Sequence, residues 1–401
     1  MIYNAVQCFA KRHSDAQQGA AKDTPKGKNM NFETSVLKND EKAIFGLRSI
    51  YRRYGYSQYK MSKFEEYDLY VRNKDFLVSD NIITFTDTNG KLLALKPDVT
   101  LSIIKNGKDV PGVLEKVYYN ENVYRVSKGS HQFKEIMQVG LECIGDIDFY
   151  CIYEVLTLAA QSLASISDRC VLDISHLGIL SDVLSSLGVS HDAEKKIVKC
   201  IGDKSLHEIS AVCKNEGADE ECTNKLLSIV GTYGSISDCL PKLSAILGDN
   251  ENMRELEKIA NALAKTQYAD KFRIDFSVIG DMNYYNGIVF KGFVDGIPGG
   301  ILSGGRYDRL MQKMGRKSGA IGFAVYLDML ERLSDSMSEY DVDAIVLYDD
   351  TTDMTALCDA LKIFSANGQS VMAQKAVPEN IKYRQLLKIK ERGVEILENN
   401  A

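Results

Sequence analysis

The chain has 401 residues, 45% hydrophobic and 26% charged, with 6 Pro, no Trp and a formal net charge of −6. Its length favours two or three folded units over one, and it shows no apolar run of the length that crosses a bilayer, which sets membrane readings aside. The mild acidity provides no global field for nucleic acid, although a local basic groove would survive that sum.

Residues 1–30 are rich in Gln, Ala, Lys and Gly and lack a signal-peptide core, so they read as a disordered extension, with Met30 as an alternative start. From Asn39, a capping residue followed by Asp40 and Glu41, the positions Ile44, Leu47, Ile50, Tyr51 and Tyr54 recur at helical spacing until Gly55. Two β-rich runs then flank the Asn89-Gly90 turn, and a helix starts at Asp98 or Thr100. The run "EKVYYNENVYRV" is a strand that turns through "SKGSHQ" and returns as "KEIMQVGLECIG".

Asp148 to Leu163 is a helical pattern, and about 177–266 is a series of amphipathic helical windows that together form a helical insertion. Strand character resumes at "KFRIDFSVIGDMNYYNGIVFKGFVDG", passes the glycine-rich "GGILSGGRYDRL", and ends in a helix around "AVYLDMLERLS". Residues 340–401 alternate as βαβαβ, with the second helix placed on "ENIKYRQLLKIKERG". The expected class is therefore α+β: an antiparallel sheet with flanking helices and an insertion within 31–335, then a small α/β domain.

Three constellations carry chemistry. Asp98 and Thr100 follow a strand, where a carboxylate beside a hydroxyl suits an ammonium group and equally well caps a helix. Arg125, Gln138 and Glu142 lie on successive strands, and Gln138 and Glu142, four apart, share a face. Polar groups gathered on one sheet face must pair, meet a ligand or meet water, because an unpaired buried charge costs several kcal/mol. In "SGGRYDRL", Arg306 suits an anion, but the spacing is not that of a phosphate loop, and a tight turn into a helix fits better. Nine scattered cysteines without a C-x-x-C pair read as free thiols in a reducing compartment, and His131, His176, His191 and His207 have no metal-binding spacing.

In this order the segments resemble the class II aminoacyl-tRNA synthetases, and specifically the histidyl-tRNA synthetase family, from Lys38 to Leu333. "LLALKPDVT" is similar to the segment that holds the amino acid's ammonium. Tyr124 and Arg125 followed by "QVGLE" resemble motif 2, and "MNYYNGIVF" resembles the histidine-specific segment in which Tyr284 and Tyr285 line an imidazole pocket. "GGRYDRLMQKMGRKSGAIGFAV" resembles the approach to motif 3.

Four positions depart from that pattern. Gly280 stands where the family has the arginine of R-G-L-D-Y-Y, Met329 where motif 3 ends in arginine, Ser127 for the glutamate that contacts adenine, and Ser62 for the motif 1 proline. Adenylate formation depends on charge stabilisation, and two lost arginines at about 3 kcal/mol each remove roughly four orders of magnitude in rate.

The resemblance therefore implies the family's non-catalytic branch, the regulatory subunits of ATP phosphoribosyltransferase. It implies a histidine-binding set of Asp98, Thr100, Arg125, Gln138, Glu142, Tyr284 and Tyr285, with no catalytic residue, metal or cofactor. It further implies a cytoplasmic protein that dimerises and joins a short catalytic subunit in a hetero-octamer, with L-histidine as feedback effector and no use for tRNA. The alternative is a divergent synthetase that recruits Lys96, Lys128 or Arg306 in place of the lost cations.

Overall fold

A computed structural model describes residues 37–74, 77, 82–126, 132–280, 282, 284–333, 340–390 and 393–400. The expected N-terminal extension, the turn from Ser127 to His131 and the two positions Asp281 and Asn283 lie outside the described residues.

The strands, in chain order, are β1 (Ser57–Gln58), β2 (Phe64–Glu66), β3 (Thr84–Thr86), β4 (Leu92–Leu95), β5 (Glu115–Val126), β6 (Phe133–Gly145), β7 (Cys170–His176), β8 (Tyr233–Ser235), β9 (Phe272–Asp275), β10 (Ile288–Val294), β11 (Leu302–Arg306) and β12 (Gly319–Tyr326), then β13 (Val342–Leu347), β14 (Val371–Gln374), β15 (Tyr383–Lys390) and β16 (Gly393–Asn399). Nine form one sheet in the order β1-β5-β6-β12-β11-β10-β7-β9-β8. It is antiparallel except at β1 with β5 and β7 with β9. β2, β4 and β3 make a small second sheet around the hairpin whose Gly90 turns at φ +81°.

The two faces of the large sheet are covered differently. On one lie helices Asn39–Arg53 and Phe149–Ile166, joined by a buried Tyr51 Oη to Ser162 Oγ contact of 3.1 Å. The first helix begins one residue earlier than Asn39 capping implies: the Glu41 carboxylate accepts from Lys38 N, which makes Lys38 the cap. Helix Phe149–Ile166 is long and apolar enough to pass for a membrane span, contrary to the sequence reading, but more than half of it is buried. Its apolar surface is spent on the sheet, where Leu163 packs so closely on Gly292 that a Cβ there would approach to 2.6 Å.

The opposite face carries helices Thr100–Asn106 and Asp308–Lys313, with a core of Val99, Leu101, Tyr119, Tyr307 and Leu310. This face holds the cavity described below. Between β7 and β9 the chain runs through the helices Leu177–Ser186, His191–Gly202, Leu206–Asn215, Glu220–Val230, Ile236–Leu247 and Glu251–Leu263. The insertion is not purely helical, because it contributes β8 to the edge of the large sheet.

Three local readings need correction. The glycines of "SGGR" belong to β11 and not to a turn, and the segment after β12 is a 3-10 helix, Leu327–Leu333, that starts only after Tyr326. In the C-terminal sheet, ordered β14-β13-β15-β16, the expected second helix is instead strand β15. β15 pairs with β13 along one edge and β16 along the other, and both of its faces are packed: Leu387 and Ile389 pack with the helix Met354–Ala366, and Leu386 packs on the reverse side. All eight described cysteines are free.

Candidate functional site

A cavity of about 1020 Å³ opens on the second face of the large sheet, and all seven residues of the expected binding set line it. Its floor follows from strand register. Glu142 on β6 stands opposite Gly322 on β12, which stands opposite Gly305 on β11. Two residues along, Gly140, Ala324 and Ser303 repeat the row. Paired residues point to the same face, so small side chains floor the cavity while larger ones rise at its ends.

The glycines make room for the site itself. A Cβ at Gly322 would stand 1.8 Å from Glu142 Oε2, one at Gly140 2.5 Å from Tyr119 Oη, and one at Gly305 2.7 Å from Tyr285 Cδ1. Glu142, 2% exposed, accepts from Thr100 Oγ1 at 2.9 Å and from Tyr307 Oη at 2.7 Å. Burial pushes its pKa up to about 8, against the lowering effect of those two hydroxyls. Asp98 is also pushed up by desolvation, offset in part by the Leu101 N–H and by Arg125.

Asp98 Oδ1 accepts from Leu101 N at 2.9 Å, in the first turn of the helix that follows, and the residue lines the cavity. Arg125 donates from Nε to Pro97 O at 3.0 Å, which ties the strand β5 to the approach of that helix. Gln138 is 3% exposed, and its Nε2 has no hydrogen-bond partner among the described residues. Tyr284 and Tyr285 form one wall, with ring centroids 4.5 Å apart, and Tyr284 lies 5.7 Å from the Tyr307 ring. Burial holds all three hydroxyls protonated, as hydrogen-bond donors.

The arrangement is a nest of acceptors and donors: carboxylates at Asp98 and Glu142, an amide donor at Gln138 and three phenols. It suits a small zwitterion with further N–H groups. Sequence reasoning missed Tyr119, Tyr307 and Tyr326. Tyr119 was legible in principle, since it shares a face with Val117, the residue opposite Glu142.

The positions of the missing cations differ from one another. Gly280 lines the cavity with φ +54°, and a Cβ there would lie 3.0 Å from Tyr285 Cδ2. Met329 is not among the lining residues and packs against the main core. Arg306, read as a candidate anion binder, is engaged by Asp308 at 2.7 Å and Glu255 at 3.8 Å. Lys96 is fully buried and bonded to Glu121 at 2.5 Å. Lys128 and Ser127 lie outside the described residues. His176 is a buried cap, with Nδ1 accepting from Ile179 N and Nε2 3.1 Å from Glu255, while His191 and His207 are exposed.

A largely antiparallel sheet covered by helices, with a polar nest for a small ligand on one face, defines a class II aminoacyl-tRNA synthetase-like protein. The sequence profile of the histidyl-tRNA synthetase family matches residues 35–330, and the chain belongs to that family. It is 27% identical over 339 residues to the ATP phosphoribosyltransferase regulatory subunit of Oceanobacillus iheyensis, covering 82% of this chain and 83% of that one. It is 29% identical over 289 residues to the histidine–tRNA ligase of Methanocaldococcus jannaschii, covering 71% and 69%. Among solved structures, an ATP phosphoribosyl transferase (HisG:HisZ) complex from Thermotoga maritima matches in fold with a TM-score of 0.58 at 19% identity, covering 72% of this chain and 97% of that chain.

Proposed function

We propose that the chain is a regulatory subunit of ATP phosphoribosyltransferase that binds histidine without activating it. One observation carries this reading: a complete amino-acid nest adjoins a left-handed Gly280 where the resembling synthetase segment has an arginine. Histidine would place its ammonium and imidazole N–H groups against Asp98, Thr100 and Glu142, with Gln138 and Arg125 toward its carboxylate and Tyr284 and Tyr285 along the ring. No cation of the nest is then left over for the phosphates of ATP. Met329 in the core and Ser127 extend the same pattern of losses.

In this role the chain works in the cytoplasm as a dimer within a hetero-octamer, raises the activity of a short catalytic subunit and carries feedback by histidine. Feedback requires histidine to bind two states of the assembly with different affinity, a coupling of about 1–3 kcal/mol. Reconstitution tests the proposal: adding the purified chain to a short ATP phosphoribosyltransferase should raise its rate and make it histidine-sensitive. Unchanged rate and unchanged inhibition would overturn it. Tyr285→Phe should weaken the inhibition and leave assembly intact, read as an inhibition curve beside a sizing profile.

The 29% identity to a histidine–tRNA ligase favours a second reading, a divergent synthetase. Two of its three candidate cations, Lys96 and Arg306, are bonded to carboxylates. Histidine-dependent exchange of pyrophosphate into ATP would decide for that enzyme.

A further inference from the structure

The cavity extends beyond the amino-acid nest to a second polar end that histidine would leave unused. The row from Gly140 passes through Ala324, Ser303 and Lys291 to Asp173 on β7, all pointing to one face. Four strand spacings make that row roughly 19 Å long, the reach of about five residues of extended chain. A single amino acid at Glu142 does not fill it.

Asp173 lines this far end, is 6% exposed, and its Oδ1 has no hydrogen-bond partner among the described residues. The neighbouring cations are turned elsewhere. Lys204 donates from Nζ to Asp275 Oδ2 at 2.7 Å, and Arg273 donates to the carbonyls of Asp270 and Phe272. Lys291, directly across the strand from Asp173, lies over Gly300 with its Nζ 5.5 Å from the Phe293 ring centroid. A Cβ at Gly300 would stand 2.5 Å from Lys291 Cε, so the glycine clears the path that leads the lysine away.

Lys204, Arg273 and Lys291 act on Asp173 through space, but none of them bonds its Oδ1, and a buried carboxylate oxygen without a bonded partner is costly when ionised. Desolvation, with Asp275 adding to it, pushes Asp173 up to about 6 against the lowering effect of Lys204, Arg273 and Lys291. A neutral hydroxyl offers Oδ1 one ordinary hydrogen bond, whereas an ammonium makes a charge-assisted one and brings up to three donors. We propose that Asp173 anchors a second binding subsite, at the β7 end of the cavity, for a ligand that carries a primary ammonium group. The subsite stands independently of what occupies the nest around Glu142.

Calorimetric titration of the full-length protein with putrescine, beside a parallel titration with histidine, tests it. The wild type should bind putrescine saturably, and Asp173→Asn should weaken that binding about tenfold or more, the value of a charge-assisted hydrogen bond, while histidine binding is unchanged. In the wild type, putrescine affinity should fall as pH drops from about 7.5 to about 5.5, as Asp173 takes up a proton. Asp275 and Arg273 from β9, Lys204 from the insertion and Lys291 from β10 are the other charges that act on it through space. Absent putrescine binding, equal binding by Asp173→Asn, a pH-independent affinity, or Asp173-dependent binding of ribose alone would each overturn the proposal. Putrescine binding without histidine binding would instead uphold this subsite and remove the histidine reading.

Discussion

Glu142 accepts two hydroxyl hydrogen bonds, yet burial outweighs them and holds its pKa near 8, above its ordinary value of 4.5. A folded-state pKa raised in this way means the native protein binds more protons than the unfolded chain between those values, so stability is present below about 4.5 and declines as pH rises toward about 8. Glu142→Gln removes that decline. Its melting temperature should gain on the wild type as pH rises through the window, and a constant difference between the two would refute the assignment. Gly280 illustrates what the sequence conveyed and what it did not. The absent arginine was legible, but the left-handed backbone and the contact with Tyr285 were not, since neither follows from residue type. Gly280→Arg is accordingly expected to yield no pyrophosphate exchange and to lower stability by about 1–2 kcal/mol, the cost of a side chain at positive φ against a packed ring. Denaturant melts and the exchange assay read both.

At the level of elements, the hairpin β5-β6 and the tyrosine segment were recoverable because alternating polar residues and turn signals mark them plainly. "YRQLLKIK" was not: its Leu, Lys, Arg and Gln are good helix formers, and only its place between two strands makes it β15. Tertiary pairing overrode local propensity there. The glycines of β11 were read as a turn for a related reason, since a floor of small residues under a cavity has no signature within its own strand. Gly322→Ala tests that floor. Its Cβ would overlap both Glu142 Oε2 at 1.8 Å and Leu141 O at 2.4 Å, so we expect a loss of about 1–3 kcal/mol in stability and no measurable histidine binding by calorimetry. Tight binding by this variant would mean that Glu142 is not part of the histidine site.

For the whole molecule, the order of motifs was legible because each is a local segment with its own residue pattern, while the joining of Asp98, Glu142, Tyr284 and Tyr285 in one cavity depends on strand register across β6, β12, β11 and β10. The far end of that cavity escaped notice because β7 was not read as a strand at all. Every residue lining the cavity lies at or before Tyr326. A chain ending at residue 333 should therefore bind histidine as tightly as the full protein, and a weakened calorimetric affinity would show that the C-terminal sheet supports the nest.

Two contacts of the insertion lie at the β9 edge of the large sheet: β8 closes that edge, and Lys204, held at φ +55°, bonds Asp275 beside the cavity. Filling the far end would load this second tether and leave the first in place. Amide protons of Gly234 and Ser235 would then exchange with solvent more slowly when the cavity is occupied, making the rim of the insertion a reporter of what the sheet holds.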